Sequence, residues 1–212
     1  MSFYEDKIFP YALDIALAGV KQTRIDVISQ AQGRVLEIGI GNGANLPFYS
    51  KKATEVVGIE PCSAMVDMAA ERLEKLASQG ELALEMDQYN LQVGSGEALP
   101  YENDSFDTAV ACLVFCTIPN TEIAAQEMYR VLKPGGKVLF FEHVQASGGM
   151  KRTLQKLFNP IWKPLACGCH LNRDTKSLFK DAGFRIDSIE EVDHPKMFPL
   201  FSSVILGEAV KV

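Results

Sequence analysis

The stretch that most constrains this chain runs from residue 35 to residue 60: Val-Leu-Glu-Ile-Gly-Ile-Gly-Asn-Gly-Ala-Asn, then a short helix, then Val-Val-Gly-Ile-Glu-Pro. Val35 to Ile38 is an apolar run too short for a helix, and Val56 to Ile59 is a second one that ends in the acidic Glu60. Gly39, Gly41 and Gly43 follow the first run at alternate positions. The pattern predicts a strand, a tight glycine turn, a helix, and a second strand with a carboxylate at its tip. Glycines there allow positive φ and let a bulky ligand lie against the main chain. A carboxylate at the end of the second strand is placed to bind the two hydroxyls of a ribose.

A nucleoside-containing ligand at the carboxyl ends of parallel strands asks for an α/β domain, and 212 residues with 47% hydrophobic content suffice for one such core. The formal charge is −6 and basic residues cluster no further than pairs such as Lys51-Lys52, so nucleic acid is not expected as a main partner. Met1 to Lys7 carries two acids and lacks the layout of a signal peptide. The apolar stretch Ile8 to Val20 is broken by Pro10 and Asp14 and falls short of the roughly 20 residues needed to span a bilayer. A cytoplasmic protein with five reduced cysteines is expected.

Along the chain, residues 1–32 read as a helical cap, 33–144 as the ligand-binding core, 145–172 as a cap over the substrate side, and 173–212 as a helix followed by a strand pair. Ala44 to Tyr49 begins a crossover helix that Pro47 limits to an early turn or a break. Ser63 to Gln79 repeats apolar residues at three and four and meets a capping Gly80. Strands are expected at 91–93, 106–115 and 137–141, with a helix from Asn120 or Thr121 to Leu132 that stops at Pro134-Gly135-Gly136. Met150 to Phe158 looks helical, while Pro160, Trp162, Pro164 and Cys167-Gly168-Cys169-His170 suit an irregular cap. After a helix over 173–182, the strands 184–192 and 203–211 are joined by too short a loop for a crossover, so the last must run antiparallel.

The glycine turn alone is ambiguous, because Gly39, Gly41 and Ala44 with Glu60 about 20 residues on also satisfy the looser dinucleotide fingerprint of an oxidoreductase. Glu37, inside the first strand, suits a cationic ligand better than a dinucleotide. Gly94-Ser95-Gly96-Glu97-Ala98-Leu99-Pro100-Tyr101 forms a second glycine turn, and Arg130 to Gly136 leads straight into a strand. Together these residues resemble the class I S-adenosylmethionine-dependent methyltransferases over roughly 33–144. The resemblance implies a Rossmann-like seven-stranded sheet, mostly parallel with the last strand reversed and helices on both faces. It implies that Glu37, Gly39, Gly41 and Gly43 hold the methionine half, and that Glu60 with Pro61 binds the ribose. Ser95, Gly96 and Glu97 then run along the adenine, and Cys112 with Leu113 completes the cofactor site.

Cys112 to Cys116, Phe141 to Val144, Trp162, Cys169 and Arg173 look like the methyltransferase-like group that methylates small thiols, with a more general likeness to quinone C-methyltransferases and phospholipid N-methyltransferases. The expected reaction moves a methyl group from S-adenosyl-L-methionine to a small or lipophilic acceptor: a thiol, or else a phospholipid amine, a quinol or arsenite. A non-catalytic cofactor-binding protein is the reading from another class. His143 is the candidate base and fits a structural hydrogen-bonding role equally well. Glu142 could orient it or contact substrate, and His170 is a second candidate from the cap. Tyr4, Tyr11, Phe48, Phe115 and Trp162 could wall an apolar pocket, or simply pack. Cys116 falls on the substrate side, where packing accounts for it, and Cys167-x-Cys169-His170 lacks zinc spacing, so no metal is expected. Peripheral membrane contact stays open, as does the oligomeric state.

Overall fold

Alternate residues of the central strands point to opposite faces of one sheet, and each face is covered by helices. In the computed structural model, which describes residues 18–212, Leu36, Val57, Ala109 and Phe140 pack on one side, and Val35, Val56, Val110 and Leu139 on the other. The elements in order are α1 (Lys21–Ile28), β1 (Gly33–Ile38), β2 (Ala53–Glu60), α2 (Ser63–Gln79), β3 (Tyr89–Val93), β4 (Phe106–Cys112), α3 (Thr121–Val131), β5 (Leu132–His143), α4 (Gly149–Leu165), α5 (Thr175–Asp181), β6 (Phe184–Asp193) and β7 (Ser203–Lys211). The sheet order is β3-β2-β1-β4-β5-β7-β6, with β7 antiparallel to both neighbours and the remaining pairs parallel. This is the seven-stranded arrangement with a reversed last strand that the sequence led us to expect. Tyr4 and Tyr11 lie outside the described residues, among which no helix is long and apolar enough to cross a membrane.

Helix α1 and the apolar side of α2, through Leu73 and Leu76, cover the Val35 face, while Ala124, Ala125 and Met128 of α3 and Phe179 of α5 cover the other. Gly80 ends α2 in the left-handed region at φ 67°, which a residue with a Cβ resists. Asn120 caps α3 by accepting from the Ile123 amide.

Four expectations need correction. The crossover after β1 is only a 3-10 turn, Leu46–Phe48, because Pro47 occupies its start and Tyr49 is drawn back into the core. Strand β4 ends at Cys112, since Leu113 takes φ 55° and its amide turns to Phe141 O. Strand β5 starts at Leu132, directly after helix α3, rather than at 137, so the Pro134-Gly135-Gly136 segment is already part of it. Helix α4 runs through Pro160 and Pro164 to Leu165. Those prolines are four apart and both exposed, so the carbonyls they leave without helix partners can turn to water.

Candidate active site

The direction of strand addition reverses at β1 and β4, and the loops leaving those two strands diverge, opening a crevice at their carboxyl ends. A cavity of about 400 Å³ fills it, in the range of small-molecule sites. Its walls are Ile38 to Asn42 after β1, Glu60 to Cys62 after β2, Ser95 to Glu97 after β3, and Cys112 to Val114 after β4. All the expected cofactor residues except Glu37 and Gly43 are therefore in the lining.

The glycines do different jobs. Gly39 and Gly41 both have positive φ. A Cβ on Gly39 would lie 2.2 Å from Val114 Cγ2, whereas one on Gly41 would meet nothing within 4 Å, so Gly41 forms open floor. Gly43 lies where a Cβ would strike Leu46 and Ala69, and it serves the packing of the turn on α2. Glu60 stitches two loops together: Oε2 accepts from the Gly41 amide at 3.2 Å and Oε1 from the Cys62 amide at 3.1 Å. Each oxygen keeps acceptor capacity. Burial raises its pKa above the ordinary value despite those two bonds.

Glu37 does not line the cavity. It is 1% exposed, and its two oxygens accept from Asn45 Nδ2 and Tyr49 Oη, so it lies behind the cleft wall. Arg24 completes the network: its Nε and one terminal nitrogen donate to Asn45 Oδ1 at 2.8 and 2.6 Å, and its guanidinium lies 5.0 Å from the Phe48 ring centroid. Arg24 is the one cationic side chain lining the cavity among the described residues. Sequence reasoning missed both Arg24 and Asn45. The available signal was a lone arginine among Val20, Ile25, Val27 and Ile28 on a helix laid over the glycine turn.

At the other end, Ser95 Oγ accepts from the Glu97 amide and donates to Glu97 Oε2, while Glu97 Oε1 accepts from the Asn120 amide. These bonds tie the β3 turn to the start of α3. Cys112 lines the wall, and burial pushes its thiol up to about 12, so it is an inert packing group there.

The substrate-side residues gather at the carboxyl end of β5. Glu142 is fully buried, with Oε1 accepting from the Val114 and Phe115 amides, so it shapes the turn after β4. Burial raises its pKa to about 8. His143 is also buried, and its Nε2 lies 3.0 Å from Cys169 Sγ. Cys116 joins them: the ligand atoms of Cys116, His143 and Cys169 all lie within 4.8 Å of one another. The side-chain contact between the two thiols raises the pKa of Cys116 and lowers that of Cys169. The imidazole of His143 thus faces the Cys169 thiol at the carboxyl end of β5.

Cys167-x-Cys169-His170 does not act as a unit. Cys167 lines the cavity, Cys169 belongs to the cluster, and His170 Nδ1 is held between Cys116 O at 3.2 Å and Arg173 at 3.3 Å. Trp162 stacks on Phe201 with centroids 4.8 Å apart and serves to seat α4. Phe115 is core.

A sheet that switches direction over a cleft floored by glycine amides and walled by a strand-end carboxylate defines an enzyme of the Rossmann-like, nucleoside-cofactor class. Comparison with known proteins is specific within that class. The methyltransferase domain family matches residues 36–140. The chain is 33% identical over 180 residues to thiol S-methyltransferase TMT1B of Rattus norvegicus, covering 84% of this chain and 70% of that one. It is 34% identical over 124 residues to phosphatidylethanolamine N-methyltransferase of Cereibacter sphaeroides, covering 58% and 57%. Geranyl diphosphate methyltransferase in complex with S-adenosylmethionine superposes with a TM-score of 0.70 at 14% identity, covering 100% of this chain and 92% of that one. The chain belongs to the S-adenosylmethionine-dependent methyltransferases. It is an enzyme that uses this cofactor to methylate a small acceptor, and the oxidoreductase and non-catalytic readings fall away.

Proposed function

We propose that the acceptor is a small or lipophilic thiol and that the cavity described above holds the cofactor. The observation that carries the first part is the buried cluster of Cys116, His143 and Cys169 beside the cavity, a set of soft, proton-exchanging groups suited to a thiol. The relative's name agrees with it. Bound in the cleft, the cofactor supplies an electrophilic methyl group on sulfur. The protein's share is placement and exclusion of water. Glu60 accepts from the ribose hydroxyls, the Ser95 to Glu97 turn edges the adenine, and Gly39 to Gly41 present main chain to the methionine half. Arg24 is placed to pair with the amino acid carboxylate. Glu37 fixes Arg24 through Asn45.

The test is methyl transfer from labelled cofactor to alkyl thiols, amines, quinols and phospholipids. Thiols should be methylated at least tenfold faster than the rest, and exclusive transfer to an amine or quinol would overturn the reading. His143→Gln should lower kcat at least tenfold with affinity for S-adenosylhomocysteine unchanged; unchanged turnover would remove the cluster from the reaction.

Helix α4 supports membrane-borne delivery of the acceptor. Its inner side docks through Gln155, which donates to Val144 O and Leu200 O and accepts from the Ala146 amide. Met150, Leu154, Leu157, Phe158 and Ile161 instead fall within an arc of roughly 100° at 3.6 residues per turn. That arc faces away from the core, with Met150 80%, Leu157 68% and Ile161 61% exposed. Arg152, Lys156 and Lys163 flank the docked side. An apolar face with cations on the opposite face of the same helix is the makeup of a helix that lies in an anionic lipid interface. The protein should sediment with vesicles of phosphatidylcholine and phosphatidylglycerol and less with phosphatidylcholine alone. Leu157→Glu with Ile161→Glu should reduce that binding at least tenfold without lowering the unfolding midpoint; equal sedimentation of the double variant would refute the contact.

A further inference from the structure

We propose that Cys116, His143 and Cys169 bind one soft divalent ion of the zinc class and leave its fourth coordination position open to the acceptor thiol. This deepens the thiol reading above and rests on it. The three donors come from the turn after β4, the end of β5 and the turn after α4, so no local spacing in the sequence announces them. A tetrahedral zinc ion with Zn–S near 2.3 Å and Zn–N near 2.1 Å spaces its donors by roughly 3.5–3.8 Å. Here Nε2 of His143 lies 3.0 Å from Cys169 Sγ, and the three ligand atoms lie within 4.8 Å of one another, so adjustments under about an ångström would seat the ion.

Donor chemistry narrows the choice. Two thiols and an imidazole select zinc-like ions over calcium or magnesium, which want oxygen. Structural zinc sites are closed by four protein ligands, whereas catalytic sites carry three and keep one position for water or substrate, Cys₂His among them. No fourth cysteine, histidine or acidic residue joins the group among the described residues.

The frame that holds the donors is fixed. The Val114 and Phe115 amides donate to Glu142, the His170 amide donates to Cys116 O at 2.7 Å, and the Cys169 amide donates to Ala166 O at 3.0 Å. Cys116 and His143 are buried and Cys169 is half-buried, so an incoming ligand reaches the ion past Cys169. Thr117 and Cys167, next in sequence or nearly so to the two thiols, line the cofactor cavity, which puts the ion just behind its wall. An acceptor thiol would displace water from the ion and lose its proton to solvent. The S–H pair stays on sulfur, the sulfur binds the metal as a thiolate, and no oxidation occurs.

The experiment titrates the full-length protein, stripped with chelator, with zinc chloride against a chromogenic chelator and with cobalt chloride in the spectrophotometer. One equivalent should bind. The cobalt form should show a thiolate charge-transfer band and the intense visible bands of a tetrahedral ion, and those bands should shift when 2-mercaptoethanol is added. Cys169→Ser, at a half-buried position, should weaken the metal at least 100-fold, and Cys62→Ser should not. Absence of stoichiometric metal, or equal affinity in Cys169→Ser, would overturn the site; a cobalt spectrum indifferent to the thiol would overturn the open position. Calorimetry of S-adenosylhomocysteine on the same stripped protein reads the cofactor cleft, and the labelled screen run metal-free reads the thiol acceptor. Retained heat and retained thiol methylation with no metal bound would sink the ion and leave the proposed function standing.

Discussion

Glu37→Ala is expected to cost about 3–5 kcal/mol of folding stability, the loss that follows when one partner of a buried ionic network is removed. Two donors lose their acceptor at once, and a nearby guanidinium loses its counter-charge. Tyr49 Oη and Asn45 Nδ2 both donate to this carboxylate, and the Arg24 guanidinium, linked through Asn45 Oδ1, is itself almost fully buried. Tyr49 Oη is sealed in the core, where no water can take the place of the carboxylate. A domain holds only about 5–15 kcal/mol in total, so the variant should unfold at a much lower urea concentration and at a lower temperature. Glu37→Gln should cost less: its amide oxygen can still accept from Asn45, while its nitrogen faces Tyr49 Oη, which can accept. A loss below about 1 kcal/mol in Glu37→Ala would mean that the network is not a stability element and that Glu37 had been kept for the ligand alone.

That contrast shows where sequence ends and structure begins. The apolar periods placed α2 and the β6–β7 pair almost to the residue and found the carboxyl ends of β1 and β2, because each element declares itself through its own neighbours, and Gly80 marks a boundary by backbone conformation alone. Gly39, Gly41 and Glu60 were legible as cleft residues for the same reason: the residues that a strand-end loop turns toward a cleft are consecutive in the chain. Glu37 was legible as a special position but not in its role, since its partners Asn45 and Tyr49 became adjacent only when Pro47 shortened the crossover to one 3-10 turn. The cluster at His143 was invisible as a cluster, because three strands and loops far apart in sequence converge there. The pattern of residues 150–158 suggested a helix without saying which side packs, and only its docking through Gln155 shows that the apolar side faces outward.

Glu60→Ala should weaken S-adenosylhomocysteine binding by about 100- to 1,000-fold while the sheet stays folded. Each ribose hydroxyl donating to a carboxylate is worth about 1.5–3 kcal/mol, and losing two such bonds gives roughly 3–6 kcal/mol before the loops readjust. The variant also frees the Gly41 and Cys62 amides at the mouth of the cleft, where water can reach them, so the effect falls on affinity more than on stability. The same carboxylate sets a pH dependence whose sign follows from its burial. Its pKa in the unliganded protein is raised above 4.5, and the ribose hydroxyls need the ionised form to accept from. Affinity is therefore complete well above that raised value and declines as the pH falls through it, approaching tenfold per pH unit below. Calorimetric titrations from neutral pH downward should show this slope in the wild type, and Glu60→Gln, weak throughout, should lack it. Tight binding by Glu60→Ala, or an identical slope in Glu60→Gln, would remove the ribose from this carboxylate and with it the orientation of the cofactor in the cleft.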